Sequence, residues 1–287
     1  VIQEALSRAG VRLSEIEGIA VTQGPGLAGA LLVGIATAKA LAYVGGQPIV
    51  GVNHIEGHLL AIFLERRVEF PFIAMVVSGG HTHIYLAEGI GRYRTLGQTL
   101  DDAAGEAFDK VGKLIGLPYP AGALIDRLAA TGNPSAIAFP RPLLHDGSCN
   151  LSFSGLKTSV LTHLRKEAAA LEGSRLNDLC ASFQRAVTDV LAAKVGAAIE
   201  ATGVKRLVVA GGVACNRGLR AEMERLAAAR GVELHIPSPA LCTDNAAMIA
   251  VPGDFYLSAG ITGDTELDAL TVWRLDGLAE RLKVLHG

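Results

Sequence analysis

Residues 53–58 read NHIEGH. On a helix, His54 and His58 stand one turn apart on the same face, a spacing that can present two imidazoles to one metal ion. The zinc-protease motif H-E-x-x-H needs its glutamate, the general base, directly after the first histidine. Here Ile55 takes that place and Glu56 follows, turned by about 100° around the helix. Glu56 therefore cannot act as a zinc-protease base. A surface or capping role remains open for the pair. Asp244, in CTDNAAMIA (242–250), offers a third ligand, expected at a strand-to-helix junction in the other half of the chain. The helix macrodipole would favour a carboxylate there in any case. Two imidazoles and one carboxylate, with open positions left over, suit iron(II) or zinc.

Two glycine pairs end strand-like runs: Gly79-Gly80 after MVVS and Gly211-Gly212 after LVVA. Glycine lets backbone approach a ligand closely, and its amides can point at phosphate oxygens. Equally, strands need turns and glycine makes them. Two such pairs at equivalent places in two half-repeats are expected to face each other across a cleft. Asn216 opens the next helix, where an N-cap and a contact to ribose or base are both open readings. Asp109 lies on a helix four residues before Lys113, and Asp126 follows a glycine-rich turn. By themselves both read as solvated carboxylates.

The elements that must position these groups alternate. Strand-like 18–24 and 48–54 flank a small-residue helix at 27–44, and a helix follows at 54–64. Three strand-like runs, 70–80, 82–89 and 93–99, then form a meander, with a helix from 103 to 114. Residues 132–156, rich in Pro, Gly and Ser, read as a long functional loop. A long helix at 176–201 precedes a strand at 206–212, a helix at 216–229, a strand at 232–237 and a helix from Asp244 onward. The second half thus reads β-β-β-α…α-β-α-β-α. The first reads α-β-α-β-α, the same unit without its opening strands. Two such lobes are the plan of the actin, Hsp70 and sugar-kinase superfamily, an α/β fold. The expected lobes are 1–68 with 246–287, and 69–245 with an inserted region at about 117–175.

With 287 residues, 50% hydrophobic, and 26 basic against 28 acidic side chains, two lobes are affordable. The net charge of −2 argues against a free-standing nucleic-acid binder, though not against a local basic patch. Four cysteines without a C-x-x-C pair point to a reducing cytosol. The uncharged stretch Gly18–Ala38 contains GPG and reads as strand, turn and helix, not a membrane span. The sequence opens in helical pattern (Ile2, Ala5, Leu6, Ala9, then Gly10), as if an N-terminal segment preceded it.

NHIEGHLLA, VVSGGHTHI, LGQTLDDAAGEAFDKVGKLIGLPYPAG, FSGLKT, AGGVACNRGLR and CTDNAAMIA together resemble the bacterial TsaD type of tRNA threonylcarbamoyladenosine synthase, formerly called a glycoprotease or O-sialoglycoprotein endopeptidase. The match runs in order over nearly the whole chain. The resemblance implies the two-lobed actin-like fold, with the first lobe lacking its N-terminal strands, since family members open with a phosphate loop of the type GIETSCDET. It implies transfer of a threonylcarbamoyl group from threonylcarbamoyl-AMP to the N6 amine of adenosine 37, in tRNAs reading codons that start with adenosine. It places the metal, iron(II) or alternatively zinc, on His54, His58 and Asp244. It places adenylate contacts on Val76, Val77, Ser78, Gly79, Gly80, Asp109, Gly122, Asp126 and Asn216. Archaeal and eukaryotic relatives carry a tyrosine ligand where this chain has Val76, which fits the bacterial branch. The implied partners are tRNA, a paralogous inactive TsaB-like subunit and a small TsaE-like ATPase, in the cytoplasm and away from membranes.

The donor is already activated, so no protein nucleophile is required, and the sequence shows no convincing Ser–His or Cys–His set. Arg66, Arg67, Arg92, Arg94, Arg141, Lys157 and Arg217 are candidate tRNA contacts, though each taken singly reads first as a solvated charge. The rival readings are a metalloprotease, a non-catalytic nucleotide-binding partner subunit, and a small-molecule carbamoyltransferase of related fold.

Overall fold

Apolar and β-branched runs make the strands of this chain, and stretches rich in Ala, Leu, Glu and Arg make helices between them. The computed structural model describes residues 1–166 and 171–279. The chain runs α1 (Ile2–Ala9), β1 (Ile19–Gly24), α2 (Ala28–Gly45), β2 (Ile49–Asn53), α3 (His54–Leu60), β3 (Phe72–Val77), β4 (Thr82–Gly89), β5 (Arg92–Gln98) and α4 (Ala104–Leu114). It continues through α5 (Gly122–Ala129), α6 (Ser154–Lys166), α7 (Gly173–Thr202), β6 (Arg206–Ala210), α8 (Arg217–Arg230), β7 (Glu233–His235), α9 (Pro239–Cys242) and α10 (Ala246–Ser258). Two units emerge: Val1–Arg67, Gly89–Tyr93 and Asn245–Gly287 form the first, Val68–Glu88 and Arg94–Asp244 the second. Of the lobe ranges expected from the sequence, 167–170 and 280–287 lie outside the described residues.

In the first unit, β1 and β2 pair in parallel, from Ile19 opposite Ile49 to Thr22 opposite Val52. Parallel neighbours need a crossover, and α2 supplies it. Leu31, Ile35, Ala38 and Ala42, spaced four, three and four apart, form one stripe that packs with Val21 and Ile49. By length and composition α2 could also cross a membrane; its stripe on the sheet reads it as a covering helix. Helix α10 packs on β1, β2 and α3. A Cβ on Gly57 would come within 2.7 Å of Ile249 Cδ1 and 3.2 Å of the Met248 carbonyl oxygen, so glycine lets α3 and α10 pack this close without displacing Ile249.

The second unit is built on a five-stranded sheet of order β5-β4-β3-β6-β7. The expected meander supplies β3 to β5, and β6 joins β3 in parallel. All six residues of β3 are buried, as its central place demands. Ile73, Met75 and Val77 share a core with Phe108 of α4 and Phe183 and Val187 of α7. Helix α7 has 30 residues and is about 45 Å long. Its buried Lys194 donates to the Asp146 carboxylate at 2.5 Å and to the Ser148 carbonyl at 2.8 Å. That ion pair ties the Pro/Gly/Ser-rich connection to the core. The connection ends at Ser154, where α6 starts, two residues inside the loop expected from the sequence.

Candidate functional site

Asn53 ends β2 and caps α3: its Oδ1 accepts from the backbone of Ile55 at 2.9 Å and Glu56 at 3.3 Å. Its Nδ2 donates to the Trp273 carbonyl at 3.0 Å. Strand therefore passes into helix without a loop, and the first helical turn is rigidly seated. From that turn project His54 and His58, with ring centroids 4.8 Å apart and planes at 81°. Asp244 lies between α9 and α10, one residue before Asn245, whose Oδ1 caps α10 through Met248 N at 2.8 Å. The expected strand-to-helix junction is thus a helix-to-helix junction, because Pro239–Cys242 forms a short helix. The side-chain cap of α10 comes from Asn245, and Asp244 beside it is exposed.

The candidate donor atoms of His54, His58 and Asp244 all lie within 4.8 Å of one another. Ligands bonded at about 2.0–2.2 Å to one tetrahedral ion stand roughly 3.5 Å apart, so small side-chain rotations would let the three share an ion. The donor set, two borderline nitrogens and one hard oxygen, fits iron(II) or zinc.

Glu56 turns away from this face. It is fully buried and accepts from Gly91 N at 2.9 Å, Tyr93 Oη at 2.8 Å, and Tyr256 Oη at 2.7 Å to each oxygen. Burial pushes its carboxyl up to about 7, against the downward pull of these three donors. The network was missed by sequence reasoning because its partners stand 35, 37 and 200 residues away. The available signal was the position of Glu56, two residues off the histidine face and so directed inward.

The residues expected to contact an adenylate all belong to the second unit. The glycine pairs do not sit in two half-repeats facing each other: β3 and β6 are neighbours in one sheet, with Val76 beside Ala210. Their turns therefore lie side by side at the same sheet end. Gly211 has φ +93, and a Cβ there would come within 2.4 Å of the Val77 carbonyl oxygen. A Cβ on Gly105, in the first turn of α4, would come within 2.6 Å of the Ser78 carbonyl oxygen. Glycine thus lets three backbone segments converge beside Gly79, whose own Cβ position is open, as are those of Gly80 and Gly212.

Asp109 is not simply solvated: its carboxylate accepts from Ala121 N at 2.8 Å, holding the residue before Gly122. Asp126 pairs with Arg217, accepting from Nε at 2.7 Å and from the backbone N at 3.1 Å. Arg217 follows Asn216, so the pair draws α5 to the start of α8. Asn216 caps α8 through Leu219 N at 2.9 Å and donates to Gln184 Oε1 at 2.7 Å. The capping reading is therefore realised. A carboxylate offers about four acceptor positions and an amide nitrogen two donors, so all three side chains keep capacity for a ligand. Among the basic candidates, Arg217 and Arg141, which binds Asp189 at 2.9 Å, are committed to ion pairs.

Residues 1–251 match the family model described as TsaD: tRNA N6-adenosine threonylcarbamoyltransferase. The chain belongs to that family. It is 72% identical over 282 residues to the tRNA N6-adenosine threonylcarbamoyltransferase of Geotalea uraniireducens, covering 98% of this chain and 82% of that protein. The protein of the same name from Geobacter metallireducens is 68% identical, covering 99% and 83%. That of Syntrophotalea carbinolica is 57% identical, covering 96% and 81%. Among solved structures, HypF of T. kodakarensis superposes with a TM-score of 0.68 at 15% identity, over 90% of this chain and 43% of that one. Component A of the (R)-2-hydroxyglutaryl-CoA dehydratase of Acidaminococcus fermentans gives 0.52 at 17% identity, over 90% and 83%. At such identities the likeness concerns the fold alone, and it agrees with the α/β plan of the actin, Hsp70 and sugar-kinase superfamily.

Proposed function

We infer that this chain performs the reaction for which its relatives are named, transfer of a threonylcarbamoyl group to the N6 amine of an adenosine in tRNA. The observation that carries this is 72% identity along 98% of the chain to a protein of that name. The donor in this reading is threonylcarbamoyl-AMP, a mixed anhydride, and the acceptor is adenosine 37 of tRNAs that read codons starting with adenosine. The amine attacks the carbamoyl carbon, the bond to phosphate oxygen breaks, and AMP leaves with that electron pair.

His54, His58 and Asp244 would hold one iron(II) or zinc ion. Such an ion, when bound, supplies a Lewis acid for donor oxygens. The backbone amides at Gly79, Gly80 and Gly212 would donate to the phosphate, whose charge grows as AMP departs. Asp109 and Asp126 would accept from the ribose hydroxyls, and the second Nδ2 hydrogen of Asn216 would donate to the nucleoside. No covalent intermediate is invoked; the rate would come from positioning and electrostatics.

Partners belong to the same proposal. Helix α2 exposes Val33 (71%), Tyr43 (80%) and Val44 (87%), with Leu27 (82%) just before it. This apolar face suits a TsaB-like paralogous subunit, and a TsaE-like ATPase would complete the system in the cytoplasm, where tRNA is found. A non-catalytic partner subunit would not need the three donor residues, and the displaced Glu56 counts against a metalloprotease.

The test incubates the chain, its partners, labelled threonylcarbamoyl-AMP and tRNA. Label should reach tRNA with the wild type and fall at least 100-fold with His54→Ala/His58→Ala, alongside loss of bound metal. Undiminished transfer by a metal-free double mutant would overturn the metal role. Absence of transfer by the wild-type assembly would overturn the activity.

A further inference from the structure

A carboxylate with no solvent contact normally recruits a cation. Glu56 instead collects neutral donors from two separate segments. Gly91 N and Tyr93 Oη come from the 89–93 tip, and Tyr256 Oη reaches both carboxylate oxygens from α10. Tyr256 is 1% exposed and Tyr93 7%, so water does not compete for these bonds. Each is a hydrogen bond to a charged or chargeable acceptor, stronger than a neutral pair.

The placement of this carboxylate bears on the candidate ion site. Glu56 lies between His54 and His58 in sequence but on the opposite side of α3. Tyr256 lies on α10, whose cap directly follows Asp244. Two close contacts join α3 to α10: the glycine approach of Gly57 to Met248 and Ile249, and the Glu56–Tyr256 bond. The first is a pivot near the start of α10, the second a strut about two turns further along. Asp244 lies four residues before Met248, about 6 Å beyond that pivot, so a tilt of α10 by about 5° would shift Asp244 by about 0.5 Å, more than the tolerance of a metal–ligand bond.

We propose that Glu56 is a positioning residue, which through Tyr256 fixes the start of α10 and so holds Asp244 at ligating distance from His54 and His58. This rests on reading those three residues as an ion site. Groups that orient metal ligands typically change affinity by about 10–100-fold when removed.

The whole chain would be titrated with cobalt(II), read by its visible absorption, for the wild type and for Tyr256→Phe, Glu56→Ala, Glu56→Gln and Asp254→Ala. Far-UV circular dichroism and melting would be followed in parallel. Tyr256→Phe and Glu56→Ala should weaken cobalt binding by about tenfold or more with an altered spectrum. Glu56→Gln keeps an acceptor oxygen for the phenols and should recover part of the loss. Asp254→Ala, an exposed change on the same helix, should match the wild type. If Glu56→Ala fails to fold, Tyr256→Phe, which removes one hydroxyl, decides alone. Wild-type affinity and spectrum in folded Tyr256→Phe, or an equal loss in Asp254→Ala, would overturn the proposal. Should His54→Ala/His58→Ala bind cobalt as the wild type does, it is the ion site itself that fails, and the positioning role with it.

Discussion

Two junctions in this protein share a design and differ in what they present. In the first unit, β2 leads into α3 through Asn53; in the second, β6 leads into α8 through Asn216. Both asparagines are buried, both cap with Oδ1, and both spend Nδ2 on a distant acceptor, the Trp273 carbonyl or Gln184. At Asn53 the strand becomes helix at once, and the groups it presents are side chains, the partly buried His54 and the buried His58. At Asn216 a glycine-led turn of four residues, Gly212–Cys215, comes between, and the exposed products are main-chain groups. A rigid junction without a loop suits imidazoles that must converge on one point. A glycine turn suits an anion wrapped by amides. The same strand-to-helix step is thus adapted to side-chain chemistry in one unit and to backbone chemistry in the other.

The most damaging way to break this contrast is at Gly211. Gly211→Ala combines a left-handed φ with a clash against the Val77 carbonyl, and should cost about 3 kcal/mol or more, seen as a lowered urea midpoint. Gly212→Ala, where the Cβ meets nothing within 4 Å, should leave the midpoint nearly unchanged. Next come the caps. Asn53→Ala and Asn216→Ala should each destabilise by about 1–2 kcal/mol, but Asn53→Ala alone should reduce cobalt affinity, and Asn216→Ala alone should reduce binding of the adenylate donor. Equal effects of both variants on both ligands would erase the distinction drawn here.

A smaller effect distinguishes how each unit keeps a carboxylate. Asp146 is held down to about 2, first by its hydrogen bond from Lys194 and then by Ser148. Its folded value lies below its ordinary 3.8, so its contribution is present above pH 4 and is lost as pH falls through 2. The wild type should therefore lead Asp146→Asn in melting temperature at pH 5, with the lead closing between pH 4 and 2. Least of all, Arg217→Ala removes a partly exposed ion pair with Asp126 and should change stability by less than about 1 kcal/mol. It should still raise the donor KM if Asp126 binds ribose, since the carboxylate would lose its orientation.

The sequence by itself determined much of this protein. Many strand and helix identities follow from periodicity, which is local: the meander of β3 to β5 and the stop of α1 at Gly10 with φ 68 needed no tertiary information, whereas helices α5 and α6 and the buried stripe of the uniformly apolar α2 did. His54 and His58 were legible as a pair because four residues make one helical turn. Only the tertiary structure decided what those local signals meant together. It put both glycine turns at one end of one sheet, because β6 inserts beside β3 and not in a separate half. It replaced the strand expected before Asp244 with the short helix Pro239–Cys242 and gave the cap of α10 to Asn245. It gave Glu56 its phenols from 37 and 200 residues away. Backbone periodicity is encoded within a few residues, whereas the pairing of a buried charge depends on which distant donors the packed chain brings to it.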